Sequence, residues 1–522
     1  MDLYSYHIFY FPFKWEKKGC EKDKFSKRFD LNNIQPVPDS CWQNLPEPLT
    51  GEYLSELYNE KNFFYEFVHN VLYDTGKENN IIRHYERKEA YRTDLFYEIK
   101  VIANGKENIY RLNLKSIVLN LYSTGTGILV FYLENYRYPD FDDILRINQY
   151  GRRVFPPFID VQKGITGAKE KELADFIAIT GLHGAADRYF DDFTDYESVT
   201  ETWKACRIIK SLIRDLSPEL EIEPVIDDRM HVVSWIRDKE RSEKVKDGSI
   251  INDKNDDWYK FLFIDVGNDC SCQNDKMKRK ILKSHTYPRW QKYGSLYGIS
   301  RYSMVYLSDS NGSPDDAYFR NFRTMYARMV ELSLIQRASI LKFSDEVTGL
   351  SGLKKTKPTE LADKISDFYR EYIRFVNQVY FREVTAQEQG IEMYDMIQEK
   401  MKIETQVKDL DNEIGELHQY AVLLKDKVRN SSLSVLTMIG AIFIIPSFIA
   451  GFYGMNIIST GSTLSFSESG WIPFIIGIIF SPLMVILYFR SYGKKNRSWF
   501  LIFAGLFLLA ALLIPLILNI KL

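Results

Sequence analysis

The sequence predicts an α/β domain, then long helices, then a C-terminal α-helical transmembrane region. Three observations carry that reading. Runs of β-branched and aromatic residues, broken by turn residues, fill positions 1–310. Helical periodicity takes over after about residue 311, and apolar segments of membrane length follow residue 431. The predicted divisions are therefore 1–310, 311–430 and 431–522.

The first eighteen residues, MDLYSYHIFYFPFKWEKK, carry Asp2 and no basic leader, so they are not a signal peptide. His7–Phe13 reads as a first strand, and the N-terminal domain is expected in the cytoplasm. Residues 109–135 hold two strand-like runs around the Gly-rich turn STGTG, a strong hairpin signal. Strands are also expected in WYKFLFIDV (258–266) and SRYSMVYLS (300–308). Helices are expected in KEKELADFIAITGL (169–182) and SVTETWKACRIIKSLI (198–213). Tyr and Phe number 34 each, a load that points to core and interface packing.

Charge and cysteine usage exclude some classes. With 68 basic against 70 acidic residues, the formal charge of −2 does not suit bulk nucleic-acid binding. The five cysteines, Cys20, Cys41, Cys206, Cys270 and Cys272, lack zinc-site spacing and read as reduced cytosolic thiols.

Within the α/β domain, INQYGRRVFPPF (147–158) sets Arg152 and Arg153 after a glycine and before Pro-Pro, on an expected loop beside a strand. Two adjacent arginines on a rigid turn either clamp a phosphate or carboxylate, or make a structural salt bridge or subunit contact. Acidic clusters at Asp140–Asp143, Asp191–Asp195 and Asp253–Asp257 either attract divalent cations or are solvated loops, and none has EF-hand spacing.

Residues 315–347 run without Gly or Pro as one amphipathic helix, and a second helical region begins near Thr359. In it Val407, Leu410, Ile414, Leu417, Ala421, Leu424 and Val428 alternate steps of three and four. That heptad seam requires a partner helix, either in another chain or in the 317–346 helix of the same chain. The stalk so formed is expected to continue into the membrane.

From Ser431 to Phe489 the only charged residue is Glu468. Three segments are long enough to span, at about 433–453, 471–489 and 499–520. Lys425, Lys427 and Arg429 precede the first. Arg490, Lys494, Lys495 and Arg497 lie between the second and third, so both basic clusters fall on the cytoplasmic side if all three span. The third segment otherwise lies as an interfacial or re-entrant helix.

On the first span, Thr437, Gly440, Ile444, Ser447 and Gly451 are spaced 3, 4, 3, 4 and share one face, which extends back to Leu433 and Asn430. A stripe of small and hydroxylated residues serves either close helix packing or the wall of a narrow hydrated pore. The helix end favours the pore. The neutral amide of Asn456 holds a hydrated cation without stripping it, which suits Mg²⁺, an ion reluctant to lose water. Gly454 permits the tight turn that aims the amide.

Tyr453-Gly454-Met455-Asn456, preceded by PSFIAGF with Pro446 in mid-helix, resembles the signature of the CorA family of divalent-cation channels. The resemblance covers roughly residues 380–490. It implies a homopentameric funnel in the inner (cell) membrane, multi-pass, with the N-terminal domain in the cytoplasm and the lipid bilayer as partner. Mg²⁺ or another divalent cation is then the transported and regulatory ion. By position it makes Asn456 the mouth of the filter and sets Ser447, Ile444, Thr437 and Asn430 along the pore. The chain departs from the family in three ways. Its loop after the motif has only Glu468, a third apolar segment replaces the short basic tail, and the cytoplasmic part is about 430 residues long. Those departures point to a repurposed member with its own gating input. Large CorA-like proteins of this kind are similar to the membrane effectors encoded beside type III CRISPR systems, in which a nucleotide second messenger binds the cytosolic domain. That resemblance implies a signal nucleotide, such as an S-adenosylmethionine–AMP conjugate, with Arg152 and Arg153 as candidates for its phosphates. The alternatives are a constitutive Mg²⁺-regulated CorA transporter and a membrane-anchored enzyme. Against the enzyme stand the lack of a Walker loop, GxSxG, HExxH or CxxC, and seven histidines without ligand spacing.

Overall fold

A computed structural model of the chain describes residues 2–19, 29–44, 52–74, 76, 80–103, 106–183, 186–193, 205–252, 255–267, 269–313, 316–352, 357–454 and 505. The chain divides into two compact units, Met1–Lys425 and Asp426–Leu522.

The first unit is built on a sheet of thirteen strands. Its main path runs β11 (Thr286–Tyr287), β12 (Leu296–Ile299), β13 (Ser303–Ser308), β10 (His231–Arg237), β1 (Ser5–Lys17), β6 (Thr126–Asn135), β5 (Lys106–Tyr122), β4 (Phe96–Ala103), β7 (Phe176–Thr180) and β8 (Phe190–Asp191). All these pairs are antiparallel except β10 with β13. Two long strands let the sheet branch. β5 pairs with β4 along its first half and with β3 (Ile82–Arg87) along its second, and β3 also takes β2 (Trp42–Asn44). β1 pairs with β10 up to Tyr10 and with β9 (Leu220–Pro224) from Phe13. Pro12 falls in the gap between those two pairings, where a strand tolerates an imino acid.

Successive side chains of a strand point to opposite faces, and β1 is apolar on both. Tyr6, Ile8 and Tyr10 join a core with the long helices. Phe9, Phe11, Phe13 and Trp15 join a second core beneath α2 (Phe141–Gly151) and α4 (Arg207–Leu216). Burial on both faces explains the unbroken aromatic composition of this strand.

The hairpin expected at 109–135 is β5–β6, and the strand expected at 300–308 is β13. Other expectations need correction. WYKFLFIDV is not a strand. It is helix α5 (Asp257–Phe263), which ends at Ile264 in the left-handed region (φ 54°). A short apolar run buried all round has no periodicity to separate helix from strand. KEKELADFIAITGL contains the end of α3 (Ile165–Lys171) and then strand β7, so its second half is not helical. Of 198–213, helix begins at Arg207, and residues 198–204 lie outside the described residues.

After β13, a π-helical turn at Phe322–Tyr326 leads into α6 (Ala327–Ser351), which is followed by α7 (Pro358–Gln378), α8 (Glu388–Met401) and α9 (Ile403–Gly454). The second helical region is therefore not one continuous stalk. It breaks at 379–387 and again at Lys402, whose φ is +57°. The heptad seam finds its partner within the chain, and that partner includes α7. Val407, Leu410 and Ile414 join the core shared with α6 and α7. Ala421 packs with Ala362 and Ile365, and the Tyr369 ring stacks on His418 at 4.1 Å.

In the second unit the described residues are 426–454 and 505. Residues 426–454 are the end of α9 and carry exposed apolar side chains at Leu433, Leu436, Ile439, Phe443 and Ile444. Among the described residues, no helix is long and apolar enough to cross a membrane. The expected segments 471–489 and 499–520 lie outside the described residues apart from Gly505.

Candidate functional site

Arg152 and Arg153 stand at the end of a helix rather than on an open loop. α2 is strongly amphipathic and presses Ile144 and Ile147 inward. Its seat is fixed by a buried polar tether. His7 of β1 meets Ser5 (Nε2 to Oγ, 2.8 Å) and Asn148 of α2 (Nδ1 to Oδ1, 2.7 Å), and Asn148 donates to Ser234 of β10 at 3.1 Å. Burial depresses the His7 pKa to about 4, with the Asn148 bond opposing. Gly151 closes the helix where only hydrogen fits. A Cβ there would stand 2.7 Å from Ile99 and 2.9 Å from Phe9. The Gly151 carbonyl accepts a hydrogen bond from Tyr97.

Arg152 caps the helix C-terminus, where its charge complements the dipole. The next residues then join the strand side. Met230 N–H donates to the Arg152 carbonyl (2.8 Å), Val154 N–H donates to Asp228 (3.2 Å), and Arg153 bridges Arg229. This short bridge brings Asp227-Asp228-Arg229 alongside the arginine pair. The two arginines are both buried but differ in partners. Arg153 is ion-paired to Asp228 and Glu172, each at 2.5 Å. Arg152 makes one side-chain bond, to the neutral amide oxygen of Gln149 at 2.7 Å. Among the described residues, the Nε groups of both have no hydrogen-bond partner.

These residues line a cavity of about 530 Å³. α2 contributes Arg146, Gln149 and Tyr150, and α3 with the turn after it contributes Glu170, Lys171 and Glu172. Arg229 faces in from the approach to β10. The turn after α5 adds Phe263 to Gly267, with Ser271 beyond. Ile264, on this wall, is a β-branched residue held in the left-handed region, a strained conformation of the kind that gathers at ligand sites. The acids on the wall are largely engaged. Glu172 holds Arg153, Glu170 holds Lys163 at 2.7 Å, and Asp265 accepts from the amides of Gly267 and Ser271.

Burial, and then the charges of Arg153 and Arg229, push Arg152 well below the ordinary arginine range. A guanidinium does not give up its proton in a protein, and Asp227 and Asp228 offset the push only in part. Asp228 moves the other way. Burial and the neighbouring Asp227 raise its pKa to about 6 despite Arg153. Arg229 is held by Asp227 (2.8 Å) and lies 4.5 Å over the Tyr302 ring. The cavity can therefore accept an anion on Arg152 with little rearrangement.

Reading the sequence singled out Arg152 and Arg153 but not Arg146, Lys171, Glu172 or Arg229. Their only signal was the cluster Asp227-Asp228-Arg229 ahead of a strand, and the turn that gathers them is invisible in sequence. Of the acidic clusters, Asp195 and Asp253 lie outside the described residues, and four others are engaged by protein groups. Asp143 accepts from Tyr110 and Arg146, Asp191 from the amides of Phe193 and Arg207, Asp256 pairs with Lys278, and Asp257 pairs with Arg241.

On α9, Asn430, Thr437, Gly440 and Ile444 are exposed, and the Thr437 hydroxyl donates to the Leu433 carbonyl at 2.8 Å. Ser447, Gly451, Tyr453 and Gly454 are helical in backbone, whereas Met455 and Asn456 lie outside the described residues.

Comparison with known proteins is consistent with this layout. No curated protein and no solved structure matches the chain. Residues 302–494, from the start of β13 through the long helices and beyond, match the family profile described as CorA-like Mg2+ transporter protein. The chain thus carries a CorA-like domain behind a large α/β domain.

Proposed function

We propose that the chain assembles as a homopentamer in the inner (cell) membrane and conducts Mg²⁺ or another divalent cation. In this reading an anionic ligand bound at Arg152 and Arg153 gates the pore. The family is one of divalent-cation transporters. The observation that carries the gating reading is Arg152, a buried cation that lines a cavity of about 530 Å³ together with Arg153 and Arg229. That volume falls within the roughly 300–1,000 Å³ of small-molecule sites. A nucleotide second messenger, such as an S-adenosylmethionine–AMP conjugate, suits it: the phosphate meets Arg152 and Arg229, and the remainder lies along the Phe263–Gly267 wall. In that role the protein is the membrane effector of a type III CRISPR antiviral response.

In the pore, a ring formed by Tyr453, Gly454, Met455 and Asn456 selects a hydrated cation, and Asn430, Thr437, Gly440, Ile444, Ser447 and Gly451 line the wall. The exposed apolar residues between Leu433 and Ile444 support a lipid or subunit environment for this stretch. The ligand gates only by binding one state of the helices more tightly than the other.

The test is Mg²⁺ flux into dye-loaded proteoliposomes, with and without the adenylated conjugate. Silence until the conjugate is added, with flux lost in both Asn456→Ala and Arg152→Ala, is the expected result. Flux without any nucleotide, stopped by raising Mg²⁺ on the cytosolic face, would identify a constitutive Mg²⁺-regulated transporter and end the ligand reading.

A further inference from the structure

Arg229, a cavity residue, touches the CorA-like region. Its guanidinium lies 4.5 Å over the ring of Tyr302, the first residue of the family match. The same ring carries a second guanidinium, that of Arg337 on α6, at 5.4 Å. Two cations on one aromatic ring repel each other unless an anion serves both, and Asp227 interacts with both. Arg337 is buried; among the described residues its Nε has no hydrogen-bond partner, and its side chain donates to the Arg301 carbonyl over a long 3.4 Å. It is therefore held mainly by Tyr302, through the ring and a side-chain hydrogen bond, against repulsion from Arg301 that Asp227 offsets in part. Tyr302 is itself tied to β10, since its carbonyl accepts from Val232 N–H at 3.1 Å. His231, one residue before Val232, feels the charges of both Arg152 and Arg337.

Resting on the ligand reading above, we propose that Arg337 is the positioning residue through which α6 senses occupancy of the cavity, with the Tyr302 ring as the shared contact. An anion that draws Arg229 into the cavity loosens its hold on Tyr302 and Asp227. Both are then left to Arg337, whose cation–π contact and counter-charge strengthen together. α6 is the helix against which α7 and α8 pack, so a change in the hold on Arg337 is felt along the helical layer.

Hydrogen exchange of α6 amides around Arg337, on the full chain in nanodiscs, tests this without any ligand. Arg229→Gln is expected to change exchange of those amides by about tenfold. The change is expected to disappear in the Tyr302→Leu background and to persist in Tyr302→Phe, which keeps the ring and the packing. An Arg229→Gln effect of equal size in the leucine background, or its loss in the phenylalanine background, would overturn the coupling. A separate arm adds pyrophosphate. Binding that is lost in Arg152→Ala supports the cavity as an anion site, and pyrophosphate that never binds removes the ligand reading while the exchange comparison still decides the coupling.

Discussion

Two buried arginines of the same sheet domain behave in opposite ways. Arg87 on β3 is fully buried, yet it pairs with Glu89 at 2.9 Å and Asp215 at 3.0 Å, and it stacks against Trp42 and Tyr189. Burial works against its charge, but Glu89, Tyr189 and Asp215 more than restore it, and its pKa is pushed up. Arg152 is just as buried, but Arg153 and Arg229 oppose its charge, and Asp227 and Asp228, already paired to those two arginines, offset this only in part. The comparison separates structure from function. A buried cation with its own carboxylates holds the fold, whereas one set beside other cations is the place proposed above for an anion from outside.

Stability measurements on the full chain can break that comparison. The largest effect is expected for Arg87→Met, which leaves the buried Glu89 without its cation and Asp215 with Arg188 for its cation, and should cost about 3–5 kcal/mol, read as a large drop in the thermal midpoint. Arg152→Met removes an uncompensated charge and keeps the apolar stem, so its midpoint should stay level or rise. An equal drop in both would erase the distinction.

Acid comes next. His7 and His231 are held neutral by burial, to pKa values of about 4 and about 3, with Arg337 and Arg152 adding to the depression of His231. Each binds its proton more readily when unfolded. Their contribution is thus present above pH about 6.5 and lost as pH falls toward 4, by up to about 1.4 kcal/mol per pH unit for each. Midpoints measured from pH 7 to pH 5 should fall, and His231→Asn should flatten the slope.

Gly151→Ala is expected to cost about 1–3 kcal/mol, because the new methyl group meets Ile99 and Phe9. It should also disturb the cavity, since Arg152 is the next residue. The smallest change is at the break between α8 and α9. Lys402→Gly should stabilise by about 1 kcal/mol by relieving a left-handed lysine, with no effect on anion binding.

Much of this architecture is legible in sequence where one physical signal dominates. The aromatic alternation of β1, the turn between β5 and β6, and the spacing of the α9 seam all rest on local periodicity. The misreadings share a cause as well. Trp258, Phe261 and Leu262 are buried in a third core, so α5 has no polar face to reveal its helical period. The seam on α9 correctly demanded a partner, but whether it lay in the same chain depended on the turns at 379–387 and Lys402. The site was half visible. Gly-Arg-Arg before Pro-Pro marked the arginine pair, while Arg229 and Glu172 reach it only through the 152–154 bridge to 228–230 and the end of α3. No spacing rule encodes such a convergence, and none reports that Arg153 is paired and Arg152 is not.

The most direct measurement is calorimetric titration of pyrophosphate into the full-length protein, its Arg152→Met variant and Arg188→Ala, a change to a partly exposed arginine that pairs with Asp215 beside Arg87. The account predicts saturable binding to the parent chain, at least tenfold weaker binding in Arg152→Met and no change in Arg188→Ala, tenfold being about 1.4 kcal/mol. Equal affinity in the parent chain and Arg152→Met would contradict it.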